Sequence, residues 1–160
     1  MPLNFIMNIA IRGYSIMGYT NYWNQKRAFT DEEWSEIKDY IYKECDQNII
    51  RFSSSYNAKQ FKNKASQTLQ ICIEMLSPKD DDDVIEFNGH DPQSCETFTL
   101  HKNIREPNYK DDMVEFNFCK TRQFPYDEVV WKLLKFIKFE VLDPKDKSFS
   151  ISNDNGESYE

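Results

Sequence analysis

Apolar and polar residues alternate from the start of the chain. Leu3, Phe5, Met7, Ile9 and Ile11 fall on one side, and Asn4, Ile6, Asn8, Ala10 and Arg12 on the other, the period of a β-strand. Gly13 and Gly18 bracket a bend, after which a second extended piece is expected over residues 14–23. The period then changes. Trp34, Ile37, Ile41 and Cys45 recur at helical spacing, and Thr30 with Glu33 forms a capping box in which each side chain satisfies the other's free backbone N–H. Phe29 before the cap and Trp34 after it supply a hydrophobic staple, so a helix is predicted over residues 31–46.

Residues 57–76 fit two templates. Phe61, Ala65, Leu69, Cys72 and Leu76 share a helical face, whereas Leu69, Ile71, Ile73 and Met75 alternate as a strand would. A short helix to about Gln67 and a strand after it reconcile the two. Three short strands follow, in which Ile85 and Phe87, then Phe98 and Leu100, then Val114, Phe116 and Phe118 would line one face. On that reading Glu115, Asn117 and Cys119 face away from the core. Pro125 and Tyr126 open a second helix with a stripe of Tyr126, Val129, Val130, Leu133, Leu134 and Ile137, and Lys132, Lys135 and Lys138 are expected on its solvated side. Asp143-Pro144 ends it, and SFSIS reads as a last strand. The pattern predicts an α+β fold, an antiparallel sheet with amphipathic helices packed on one face, in one globular domain spanning residues 1–160.

Composition supports a folded core: 160 residues with 15% aromatics can bury about 70% of their unfolded surface. The net charge of −7 opposes strong nucleic-acid binding, despite a basic segment at residues 51–64, and opposes an anionic membrane surface. No apolar run is long enough for a membrane span, and LNFIMNIAIR is too short and too polar for a signal peptide. Cys45, Cys72, Cys95 and Cys119 show neither paired zinc spacing nor a disulfide framework, so free thiols and an intracellular (or virion) location are expected. His90 and His101 read as groups near turns, with no metal and no cofactor expected. NDNGE lacks the first-position acid of a calcium loop and reads as a turn, and the run Asp80 to Asp83 reads as a solvated loop.

The chemistry-bearing stretch is FNFCKTRQFPYDEVV. Cys119, Lys120, Thr121 and Arg122 stand where a strand meets a helix, a place where free N–H groups can hold an anion. Asp127 and Glu128 already supply negative charge there, and pairing with Lys120 and Arg122 is expected. A C-x5-R phosphate loop fails because Pro125 occupies the sixth place after Cys119. A structural corner is therefore expected, with no catalytic residue. An anion or small-ligand site built from Asn117, Cys119, Lys120 and Arg122 is the alternative.

Five blocks, FTDEEW, IEFNG, ETFTL, FNFCKTRQFPYDEVV and SISNDNG, occur in this order over about half the chain. In them the sequence resembles a family of small proteins of unknown function from bacterial and viral genomes. The resemblance implies a free-standing domain and carries over no catalytic residue, substrate or cofactor. Residues 49–78 depart from it. Three functional classes follow: a non-enzymatic accessory module that binds another protein, a structural subunit of a large assembly such as a virion, and the ligand-binding alternative. The first is favoured by a good core, uneven charge and no convergent catalytic set.

Overall fold

A computed structural model describes residues 18–48, 73–78, 80, 83–104 and 115–160. The strand expected at residues 3–12, the short helix near residues 57–67 and the position of Val114 lie outside the described residues. Strand β1 spans Thr20–Gln25, helix α1 Asp31–Asn48, β2 Ile73–Met75, β3 Val84–Gly89, β4 Phe98–His101 and β5 Glu115–Lys120. Helix α2 spans Asp127–Phe136 and continues as a π-helical turn, Ile137–Val141, before β6 (Phe149–Asn153) and β7 (Ser158–Tyr159). The α+β class holds, and its antiparallel pairing is divided between two sheets, ordered β5-β1-β6-β7 and β2-β3-β4.

The start of α1 is built as its sequence dictates. The Thr30 N–H donates to Glu33 Oε2 at 2.9 Å, and the Glu33 N–H donates to Thr30 Oγ1 at 3.1 Å. The rings of Phe29 and Trp34 stack with centroids 5.9 Å apart. Arg27 reinforces the entry by reaching Glu33 with two nitrogens at 2.8 Å and Asp146 at 2.9 Å, so the helix start and the loop before β6 share one guanidinium. Trp34, Ile37 and Ile41 are buried, and Tyr40 of α1 stacks on Phe136 of α2 at 3.9 Å. The stripe of α2 is buried throughout, joining Ile85, Phe87, Phe98 and Leu100 in one hydrophobic cluster.

Two expectations fail. Lys138 is not on a solvated face. It follows Leu134 by four residues, which places it on the helix's buried side, and it is only 2% exposed. Its ammonium donates to the carbonyls of Asp146 at 3.0 Å and Phe149 at 2.8 Å, replacing water with two fixed acceptors. Burial still lowers its pKa.

The second failure concerns β5. Trp23 is 1% exposed and packs on Phe98 at 5.0 Å, so its side of β1 is the inner side. The register pairs Trp23 with Asn117, Asn21 with Cys119 and Gln25 with Glu115, and paired residues share a face. Cys119 and Glu115 are therefore buried, while Phe116 and Phe118 are turned outward, 52% and 49% exposed. The alternation of β5 was legible, but its direction was inverted, as a one-residue difference in register requires.

Two predictions follow from the α1 start. Thr30→Ala lowers stability by about 1 kcal/mol, read as a fall in the urea midpoint at unchanged slope. The carboxylates on Arg27 also set an acid limit. Asp146 is lowered from 3.8 to about 2: burial works against this, and hydrogen bonds from Ser148 and Arg27 outweigh it. Hydrogen bonding from Arg27 likewise lowers Glu33. A depressed carboxylate contributes stability above its unfolded pKa and loses it as pH falls through the folded value. Stability should thus decline from about pH 4 towards pH 2, and Arg27→Met should flatten that decline in denaturation measured across the range.

Candidate functional site

Three of the sequence blocks meet at one corner. Asn88 of IEFNG donates to the Cys95 carbonyl at 3.0 Å and the Thr97 hydroxyl at 3.2 Å, and its own oxygen accepts the N–H groups of Gly89 and Cys95. This holds Glu96 of ETFTL against the end of β5. The Glu96 N–H donates to the Lys120 carbonyl at 3.0 Å, and the Lys120 N–H donates to Glu96 Oε2 at 2.8 Å. Tyr126 caps the arrangement by donating to the Glu96 carbonyl at 2.8 Å. Gly89 is required by close approach: a Cβ there would lie 2.2 Å from the Gln93 oxygen and 2.7 Å from the Tyr126 ring.

Cys119 lies beneath these residues, with Sγ 3.5 Å from the Glu96 carbonyl. Burial pushes its thiol well above the ordinary range, and the charges of Glu96 and Cys95 add to the shift. The expected pairing of Lys120 and Arg122 with Asp127 is replaced by other partners. Asp127 Oδ1 accepts from the Asn21 amide at 2.6 Å and from the Thr121 hydroxyl. Burial raises the Asp127 carboxyl, and those two hydrogen bonds oppose the shift. Arg122 and Gln123, both at φ of 53°, form an exposed left-handed turn.

The four sequence candidates do not converge. Cys119 points inward, Lys120 outward with its ammonium 5.9 Å from the Phe118 ring, and Arg122 lies in the exposed turn. Asn117 is on the inner side at the sheet edge, its amide 3.4 Å from the Glu115 carbonyl. Hydrogen bonds of Asn88, Glu96, Lys120 and Tyr126 join β3, β5 and the start of α2 at this corner.

The surface around β5 has more recognition chemistry. On the outer face Tyr22 stacks on Phe116 at 6.0 Å, and Phe116 lies 6.2 Å from Phe118, a contiguous aromatic strip ending at Lys120. Beside the strip, between β5 and the polar face of β3 and β4, is an open cleft of about 650 Å³ whose lining includes Glu86, Glu96, His101, Phe116, Asn117 and Phe118. The sequence reading missed the strip because it assigned Phe116 and Phe118 to the core. The buried requirement of Trp23, carried across the β1–β5 pair, is the signal that relocates them.

Among the described residues no group of His, Cys, Asp or Glu could hold a metal ion, and no helix is long and apolar enough to cross a membrane. No family model, curated protein or solved structure matches the chain.

The packing of Cys119 makes its reactivity predictable. In the folded protein iodoacetamide should modify half-buried Cys95 faster than Cys119, and Cys119 should react only at a rate set by unfolding. Peptide-resolved mass spectrometry over time and pH reads both rates. A fast Cys119 with a midpoint below neutral pH would contradict the burial described.

Proposed function

We propose that the protein is a small non-enzymatic interaction module that docks another protein on the outer face of β1 and β5. The supporting observation is the half-exposed strip of Tyr22, Phe116 and Phe118. Scattered surface hydrophobes are ordinary, but contiguous rings on one sheet face mark interaction surfaces far more often. Each phenylalanine leaves on the order of 100 Å² of ring in water, and covering that area is worth about 2.5 kcal/mol per ring. Rigid rings also lose little side-chain entropy on docking. Lys120 and the Asp154 carboxylate, which accepts from the Tyr22 hydroxyl at 3.1 Å, give the strip a polar rim.

A photo-crosslinking residue placed at position 116 in the native host should trap a partner, whereas the same residue at the exposed, helical position 132 should not. With the trapped partner purified, the Phe116→Thr/Phe118→Thr variant should bind at least about tenfold more weakly, while threonine preserves strand propensity and the melting temperature changes little. Equal crosslinking at both positions, or undiminished binding by the variant, would overturn the reading.

A further inference from the structure

Strand β5 is the edge of its sheet, with β1 on one side and no strand of the described residues on the other. The orientation of its backbone follows from its end. Lys120 directs both its N–H and its C=O to Glu96, away from β1, and its partner Thr20 directs its own pair to Asp154. Thr20 and Lys120 are therefore a non-hydrogen-bonded pair, and antiparallel pairs alternate. By that alternation Phe118 opposite Tyr22, and Phe116 opposite Asn24, also turn their N–H and C=O groups outward. One rung of this edge is already occupied by Glu96, whose N–H meets the Lys120 carbonyl and whose carboxylate stands in for a main-chain carbonyl at the Lys120 N–H. The next two rungs open into the cleft.

The cleft gives a strand added to this edge a chemical character. An added strand has side chains on two faces. Those on the outer face would extend the Phe116–Phe118 strip, and those on the other would face Glu86 and Glu96 across the cleft. We propose that the open edge of β5 takes up an extended segment of a partner protein as an added strand, in which apolar residues continuing the Phe116–Phe118 face alternate with lysine or arginine residues meeting Glu86 and Glu96. This deepens the interaction-module reading and rests on it. Main-chain bonds supply affinity and the alternate side chains supply choice. Lys120 closes the end of the edge and disfavours a basic residue at that end. A second copy of this chain is a poorer occupant, because each copy carries a net charge of −7.

The test uses the full chain and a capped seven-residue peptide of alternating lysine and valine, with a second peptide carrying glutamate for lysine. By fluorescence anisotropy the lysine peptide should bind saturably and more weakly as salt is added, and the glutamate peptide at least about tenfold less well. Glu86→Gln should weaken the lysine peptide about threefold while leaving the Glu96–Lys120 bonds intact. By NMR, hydrogen exchange at the amides of Phe116 and Phe118 should slow in the complex. Equal affinity for the two peptides, unslowed exchange at both amides, or sedimentation as a dimer that the lysine peptide does not dissociate would each overturn the proposal. The two readings fail separately. A purified partner trapped at position 116 that leaves both amides exchanging freely removes strand addition and keeps the docking face. Slowed exchange with the lysine peptide, but no partner trapped at position 116, leaves the edge and removes the module.

Discussion

Burial of Trp23 is the constraint on which the rest depends. The indole lies in the middle of a strand otherwise made of Thr20, Asn21, Tyr22, Asn24 and Gln25, and it packs on Phe98 of the other sheet. A side chain of this size can bury on the order of 200 Å² and outweighs Asn24 and also Tyr22, whose hydroxyl donates to Asp154 on the outer side. Once it points inward, every second residue of β1 is committed to the interior, and pairing passes the commitment to β5 and β6. Asn21 and Gln25 are thereby carried into the core and need partners. Asn21 finds Asp127 at the start of α2, and Gln25 finds the carbonyls of His101 and Lys102 at 3.3 Å. The polar inner residues thus connect the sheet to its surroundings.

The same commitment separates two kinds of chemistry along FNFCKTRQFPYDEVV. Residues that look reactive in sequence are used for construction: Cys119 fills space beneath Glu96, Tyr126 joins two carbonyls, and Asp127 receives an amide and a hydroxyl. Residues that look like core, Phe116 and Phe118, are presented to solvent. Such an exchange is tolerable because β5 lies at an edge, where the outer face has no covering element among the described residues.

Much of the fold was legible in the sequence because the signals were local. The capping box, the staple and the stripe of α2 each depend on residues within a turn or two, and each element formed where its pattern lies. Ile85, Phe87, Phe98 and Leu100 were placed correctly because their alternation is not opposed by a larger residue next door. The face of β5 was illegible for the opposite reason: it is set by Trp23, more than ninety positions away, through a pairing register that β5 alone does not encode. Lys138 escaped for a chemical reason, since its acceptors are backbone carbonyls, which any sequence could supply. The aromatic strip and the acidic cleft inherited the error in β5, because both come into view only when Phe116 and Phe118 leave the core.

The buried ammonium of Lys138 has a consequence for the order in which the molecule comes apart. It belongs to the end of the second helix, yet both of its acceptors lie on the segment leading into β6. Peeling β6 from the sheet would strand a positive charge inside an apolar cluster, and unwinding the helix end would strand two carbonyls. Either opening incurs the cost of the other, so helix end and strand separate together. Through Phe139 and Trp131, both of which contact Tyr159, the terminal hairpin joins the same cooperative block. The last third of the chain therefore behaves as a single lock on the side of the sheet opposite β5, beyond which no strand of the described residues lies.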